Sequence, residues 1–312
     1  MALDEPLDVS HLGPAEAARV RLAVSCRDTD PIPKVDDAGA VRRIGGDAVQ
    51  VMHNGVLVGA GCYYGEFMTE IIRQLRGHHE PQEEVAFHLL IERLRETATS
   101  PTMLELGSFW AYYSLWFLQT FPDGDAYCVE PDLANLAVGK RNFALNGRSG
   151  TFLHAAVGGA DAPPEPFLCE SDSQTRLVPT ASLASLFSRF GLDRVDVLLV
   201  DVQGAELSLL EGAVDLLARR AVRFIVLSTH HHSISGSYLI HERCLQMLTD
   251  LDAHVIAEHT VAESYSGDGL IAVSFDERDR DLVADITYAR AGESLFGDPL
   301  LELAGLVERG VV

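Results

Sequence analysis

The sequence predicts an α/β fold, a doubly wound and mostly parallel sheet of seven strands preceded by an N-terminal accessory region. From residue 102 onward, short apolar segments alternate with stretches of helical periodicity, which is typical of parallel strands joined by helical crossovers. The first two of these strands carry acids near their carboxyl ends, Glu105 and Glu130, as ligand-binding strands of such sheets do. The last two strands are separated only by residues 258–268, so the final strand should run antiparallel to its neighbour.

The predicted elements divide the chain into an accessory region (1–98), a catalytic domain (99–276) and a C-terminal extension (277–312). Strands are expected at 102–106, 125–130, 151–156, 195–201, 222–229, 253–258 and 269–275, and helices near 110–121, 132–146, 180–190, 205–219 and 237–251. The accessory region should contain a helix near 14–22, a hairpin at 49–58 whose Asn54-Gly55 favours a type I′ turn, and helices at 68–75 and 81–97. A packed helix is expected near 297–308.

Composition narrows the class of protein. The 312 residues are 47% hydrophobic, enough for a substantial core, and carry a formal net charge of −22, which disfavours a nucleic acid partner. No apolar run reaches the about 18 residues of a membrane span, and the acidic start lacks a secretory signal, so we expect no membrane partner and a cytoplasmic location. The five cysteines include no CxxC pair, which favours reduced thiols over disulfides or a cysteine zinc site.

The turn after the first strand distinguishes between two nucleoside cofactors. It reads Glu105-Leu-Gly107-Ser-Phe-Trp-Ala111, with one glycine and bulky side chains where a dinucleotide site usually has GxGxxG. An acid there disfavours a pyrophosphate but suits the ammonium and sulfonium of S-adenosylmethionine (SAM). Glu130 can accept hydrogen bonds from both ribose hydroxyls. The sequence therefore favours SAM.

A longer motif makes the sequence similar to a known family. The block 195–213 contains Asp201-Val-Gln-Gly-Ala-Glu206 and closely resembles the fourth-strand block of FkbM-type SAM-dependent methyltransferases. The Glu105-Leu-Gly107 and Glu130-Pro-Asp132 segments occur at matching positions, and the resemblance covers roughly residues 100–275. It implies a class I, Rossmann-like methyltransferase. Ala111 departs from the family, which usually has a second glycine there. The 78–84 segment is more loosely similar to an accessory segment of natural-product members.

The resemblance implies which residues bind the cofactor. The first turn should contact the methionine end, the second strand end the ribose, and the third strand end the adenine. The expected set is Glu105, Gly107, Ser108, Glu130, Pro131, Asp132, His154 and Ala156. The strand-end acids have an alternative role as helix caps, and His154 as an ordinary strand histidine.

Catalytic candidates lie at the ends of the fourth and fifth strands. Asp201 should sit near the transferred methyl, with Glu206 supporting the next helix, and Ser228-Thr-His230-His-His232 supplies imidazoles that can take a proton from a hydroxyl. Strand alternation would place His230 and His232 on one face and His231 on the other. The alternative is that all three are ordinary loop or edge histidines. Asp201 and His230 are also candidate ligands of a divalent metal such as Mg²⁺. Asp268 is better explained by a turn.

Residues of the accessory region are candidates for a lid over the pocket and for contacts to the acceptor. These are Tyr63, Tyr64, His78, Glu80 and Gln82, for which a solvated helix start is the alternative.

We therefore expect a SAM-dependent O-methyltransferase acting on a small-molecule hydroxyl, on a sugar or a secondary-metabolite scaffold in natural product biosynthesis. An NAD(P)-dependent oxidoreductase and a non-catalytic methyltransferase-like module are the alternatives. The acceptor, metal dependence, formation of a homo-oligomer, the role of residues 1–60 and the acting histidine stay open.

Overall fold

The computed structural model describes residues 9–289. The strands β1 to β13 are Val41–Ile44, Asp47–Val51, Leu57–Gly59, Thr102–Leu106, Asp125–Glu130, Thr151–His154, Ala156–Gly158, Ala162–Leu168, Thr175–Ser182, Val195–Val200, Val222–Thr229, His254–His259 and Gly269–Ser274. The helices α1 to α10 are Pro14–Ser25, Glu66–Gln74, Pro81–Thr97, Tyr112–Thr120, Leu133–Leu145, Leu183–Phe190, Glu206–Gly212, Val214–Ala218, His232–Ser235 and Ile240–Asp250. The helix expected near 297–308 lies outside the described residues.

The central sheet confirms the predicted fold class. Its seven strands are ordered β12-β13-β11-β10-β4-β5-β6. Strands β4, β5, β6, β10 and β11 pair in parallel, whereas β13 lies between β11 and β12 and is antiparallel to both, as the short connection before it predicted. The strand order reverses between β4 and β10. In doubly wound sheets this reversal opens a crevice at the carboxyl ends of the strands.

Both faces of the sheet are buried, which explains the nearly continuous apolar strands. Successive residues of a strand point to opposite faces, so Met103 packs in one hydrophobic cluster and Leu104 in the other. In β11, Phe224 likewise packs in the first cluster and Ile225 in the second. The two clusters hold the carboxyl ends of β4 and β10 in a fixed position.

The accessory region forms a small antiparallel sheet, β1-β2-β3, against the core. The predicted hairpin exists, with Gln50 paired to Val58, but the type I′ turn is wrong. The connection is the five-residue segment 52–56, in which Gly55 has a φ of 86° while Asn54 is not in the left-handed region. A type I′ turn needs positive φ at both central residues.

Three differences from the predicted elements affect the site. The strand expected at 151–156 divides into β6 and β7, and the helix expected at 205–219 divides into α7 and α8. A second small sheet, β7-β9-β8, was not predicted at all. Within the described part of the chain, no helix is both long and apolar enough to cross a membrane.

Candidate active site

An open cavity lies at the carboxyl ends of β4, β5 and β10, where the strand order reverses. Its position is the one that doubly wound sheets use for ligands. The cavity brings together several predicted site residues from distant parts of the sequence. Its lining includes Tyr63, Tyr64, Gly107, Glu130, Pro131, Asp132, Ala156 and Asp201.

Gly107 shapes the floor of the cavity. Its φ is +78°, and a Cβ atom on it would lie 1.6 Å from the carbonyl oxygen of Asp201. Its amide donates to Val129 O at 2.9 Å. The ends of β4 and β10 can therefore meet only because residue 107 has no side chain.

Glu105 lies behind this turn and is not among the residues that line the cavity. Its carboxyl group is 3% exposed and accepts hydrogen bonds from the amide, at 3.1 Å, and the hydroxyl of Ser114. Burial raises the pKa of Glu105 to about 8. The geometry is that of a support for the first turn of α4. Ser108 is also buried, and its hydroxyl makes no hydrogen bond to any residue in the described range.

The residue at the family's second glycine position has a strained backbone. Ala111 is buried with a φ of 56°, in the left-handed region, directly before α4. This conformation explains why glycine is common at such a position, since a side chain there costs about 1–2 kcal/mol.

Glu130 presents a carboxyl group at the edge of the cavity. Its two oxygens accept hydrogen bonds from the amides of Phe109 and Asp132, both at 2.9 Å. Burial raises the pKa of Glu130 to about 7 in spite of these bonds. Each oxygen retains a lone pair, so the group can still accept hydrogen bonds from a ligand diol.

The two residues next to Glu130 organise the cavity rim. Asp132 caps α5 by accepting from Ala134 N at 2.9 Å, and its second oxygen accepts from Ser171 N at 2.9 Å. His154 is hydrogen-bonded through Nε2 to the carbonyl of Pro131 at 2.8 Å, and its side chain is not part of the lining. His154 thus fixes the loop, while the nearby Ala156 faces the cavity.

At the other end of the cavity, three acids surround His230. Its Nε2 lies 3.1 Å from Asp201 Oδ1 and 3.7 Å from Asp268 Oδ1, and its Nδ1 lies 2.6 Å from Glu206 Oε1. Burial acts to lower the pKa of His230, but the charges of Asp268 and Asp201 and the bond to Glu206 raise it well above the usual value. These acids favour the protonated form of His230 over the neutral base expected from the sequence. Burial likewise raises the pKa of Asp268 to about 7.

The two following histidines do not continue the strand. β11 ends at Thr229, His231 caps α9 by accepting from Ser233 N at 3.2 Å, and His232 begins that helix and stacks on Tyr238. The expected shared face of His230 and His232 is therefore wrong. Neither His231 nor His232 lines the cavity.

The structure does not show the metal site predicted at Asp201 and His230. Within residues 9–289, these two side chains belong to no group of three potential ligands close enough to share an ion.

Two tyrosines of the accessory region cover the cavity. Tyr63 stacks on Trp110 with ring centroids 4.5 Å apart, and its hydroxyl donates to Glu80 Oε1 at 3.4 Å. The Tyr64 hydroxyl donates to Glu170 Oε1 at 2.7 Å.

The other residues predicted for the lid do not line the cavity. His78 is completely buried. Gln82 is also buried, and its Nε2 donates hydrogen bonds to the carbonyls of Glu263 and Thr287. A solvated helix start is wrong for both residues.

Several lining residues were not predicted. Phe109 belongs to the first turn, Gln203 to the fourth-strand block, and Phe167, Leu168 and Glu170 to the unexpected β8–β9 hairpin. Phe109 and Gln203 lie in motifs that the sequence analysis had already identified. No local sequence pattern predicted a role for the three hairpin residues.

Residues 103–255 match the family model of the methyltransferase FkbM domain. No curated protein matches the sequence. Solved structures similar to this chain include a precorrin-6y C5,15-methyltransferase from Geobacter metallireducens GS-15, 15% identical, covering 61% of this chain and 87% of that chain with a TM-score of 0.38. The METTL16 methyltransferase domain is 11% identical; the match covers 63% of this chain and 69% of that chain, with a TM-score of 0.42. M. capricolum TrmK in complex with S-adenosyl-homocysteine (SAH) is 11% identical; the match covers 62% of this chain and 74% of that chain, with a TM-score of 0.34.

Proposed function

We propose O-methylation of a small-molecule hydroxyl as the reaction of this chain, a SAM-dependent methyltransferase that carries an FkbM domain over residues 103–255. The observation that carries the proposal is the position of Asp201. This carboxylate faces the cavity at the end of β10 and is oriented from behind by the His230 imidazolium. It is a hydrogen-bond acceptor placed where a hydroxyl acceptor would lie beside the cofactor.

The residues of the cavity fit SAM. The Glu130 carboxylate can accept from both ribose hydroxyls, and Phe167 and Ala156 offer apolar surface for the adenine. The acids around His230 suit the positively charged end of the molecule. When bound, SAM supplies an electrophilic methyl group on a sulfonium.

The chain's own residues would position the acceptor and hold its proton. Asp201 can accept a hydrogen bond from the attacking hydroxyl and then take its proton, while His230 keeps the carboxylate in place. Tyr63 and Tyr64 give the acceptor an aromatic wall that also excludes water. His230 is a positioning residue in this scheme.

Charge and shape limit the acceptor. Asp201, Glu130 and Glu170 all line the cavity, so an anionic acceptor would be repelled. A neutral hydroxyl compound such as a sugar or a secondary-metabolite scaffold fits these walls and agrees with the family resemblance.

The test combines cofactor binding with product analysis. We expect isothermal titration to show micromolar binding of SAH and no binding of NAD⁺, and labelled SAM with a panel of hydroxyl, amine and carboxylate acceptors to yield a methyl ether. Asp201→Asn should lower kcat by about 100-fold or more while changing the Kd of SAH less than about threefold. Asp215→Asn, at an exposed helix position, is the control and should leave both unchanged.

Four results would contradict the proposal. Binding of NAD⁺ without SAH would favour an oxidoreductase. A methylamine or C-methyl product would exclude O-methylation, and full activity of Asp201→Asn would remove Asp201 from the reaction. Binding of SAH without turnover of any acceptor would favour the non-catalytic module.

A further inference from the structure

A second cluster of chemically capable side chains lies in the interior, away from the cavity. His53 is in the turn between β2 and β3, His78 precedes α3, and Glu84 is in the first turns of α3. Each offers a ligand atom within 4.8 Å of those of the other two. Their exposed fractions are 2%, 0% and 0%, and none of them lines the cavity.

Hydrogen bonds do not satisfy this cluster completely. His78 Nδ1 is bonded to Glu84 Oε2, while Glu84 Oε1 accepts from His79 N at 2.7 Å. His53 Nδ1 is bonded to the Tyr112 hydroxyl at 2.9 Å. Among residues 9–289, however, the buried Nε2 atom of His78 has no hydrogen-bond partner, a condition that costs about 1–3 kcal/mol.

The imidazoles of His53 and His78 are stacked, with centroids 4.2 Å apart and planes inclined by 17°. Because a metal lies near the plane of the imidazole that coordinates it, one of the two rings would turn when an ion binds. Both present nitrogen atoms near the same carboxylate. Two imidazole nitrogens and one carboxylate oxygen are a common ligand set of zinc and related transition metals, whereas Mg²⁺ and Ca²⁺ prefer oxygen ligands alone.

We propose that His53, His78 and Glu84 bind one transition-metal ion of the zinc type. The ion would connect the β2–β3 hairpin with α3, two elements whose ligands are far apart in sequence. Tyr112 at the start of α4 contacts the same cluster, so the ion would fasten the accessory region to the catalytic core. The site is independent of the proposed methyl transfer and has a stabilising role.

The probe is zinc itself. Tag-free full-length protein is dialysed against a chelator, incubated with ZnCl₂ in excess Mg²⁺ to suppress binding by surface acids, and passed through gel filtration. We expect about one zinc per chain by elemental analysis and a higher melting temperature with zinc than without. His53→Gln and His78→Gln should each weaken zinc binding about 100-fold or more.

The matched control is His259→Gln. His259 is also buried, at 2% exposed, but is bonded to the carbonyl of Thr260 outside the cluster. This variant should retain one zinc per chain. His230→Gln should retain it too, which separates the cluster from the candidate active site.

Two results would overturn the proposal. The first is less than about a tenth of an equivalent of zinc in the wild type, and the second is undiminished zinc binding in both cluster variants. If those variants do not fold, X-ray absorption of the zinc-loaded wild type decides. Imidazole nitrogen and carboxylate oxygen at about 2.0–2.2 Å support the site, and a shell without imidazole refutes it. Titration with SAH in parallel shows whether cofactor binding is intact, whatever the outcome for zinc.

Discussion

Replacing Glu130 with glutamine should weaken SAH binding by about a hundredfold. The carboxylate accepts from the amides of Phe109 and Asp132, and we expect it to accept from two ribose hydroxyls as well. Glutamine has nearly the same shape but no charge; its NH₂ group cannot accept, and its carbonyl oxygen accepts a weaker bond than a carboxylate oxygen does. If the lost hydroxyl bond and the lost charge on the other each remove about 1.5 kcal/mol, the loss is about 3 kcal/mol, or about a hundredfold in Kd.

The assay separates ligand binding from damage to the turn. Isothermal titration is done at pH 8, above the pKa of about 7 of Glu130, with SAH and with its 2′,3′-dideoxy analogue. In the wild type the analogue should bind about a hundredfold more weakly than SAH, and in Glu130→Gln this difference should fall to about tenfold or less. Glu170→Gln removes another carboxylate from the same cavity and should change the Kd of SAH less than about threefold.

The result that would refute this reasoning is an equal loss for both ligands. It would mean that Glu130 supports the two backbone amides and contributes nothing to the ribose. A second check is pH. Because Glu130 becomes protonated below its pKa, SAH affinity of the wild type should fall between pH 8 and pH 6, and that fall should be absent in Glu130→Gln.

Two further predictions concern the turn after β4. Gly107→Ala would place a methyl group 1.6 Å from a backbone oxygen, so we expect urea unfolding to show that the free energy of unfolding falls by more than about 3 kcal/mol and that SAH binding is lost. The control is Gly147→Ala, with φ +60° and open space around it, which should lower the free energy of unfolding by only about 1–2 kcal/mol. Equal losses in the two variants would contradict the steric argument. The pKa of Glu105 is raised to about 8, so the folded chain keeps a proton that the unfolded chain releases near pH 4.3. The contribution of this proton to the free energy of unfolding is therefore complete below about pH 4.3 and is lost as the pH rises to about 8. The free energy of unfolding should therefore fall between pH 6 and pH 8, by up to about 1.4 kcal/mol per pH unit from this group, and a slope unchanged in Glu105→Gln would show that Glu105 is not its source.

The sequence predicted those parts of the fold and site that local chemistry determines. Gly107 is forced by a left-handed backbone and a close approach of two strands, and a short apolar strand before it makes the turn recognisable. The antiparallel final strand followed from the length of one connection. The turn after the strand and the length of the connection are both visible within a few residues of sequence, whereas the contact of Gly107 with Asp201 is visible only in the fold.

Other features depend on contacts between distant segments. The β8–β9 hairpin contains Pro163, Pro164 and Pro166, residues that argue against a strand, yet β8 pairs with β9 at the edge of its small sheet. His78 and Gln82 look like the polar start of an exposed helix. They are buried because the accessory sheet and residues 263–287 close over them, which no local pattern indicates.

The charges around His230 explain why the cavity suits a cation. Asp201, Asp268 and Glu206 face a single imidazolium, so negative charge is in excess at this end of the cavity. The pKa of Asp268, raised to about 7, means that near neutral pH part of this excess is removed by a proton. A bound sulfonium would balance the same charge without that proton, whereas the neutral thioether of SAH would not. The acidic cluster therefore favours SAM over its product by charge, and it opposes the dinucleotide phosphates that the first turn already fails to accommodate.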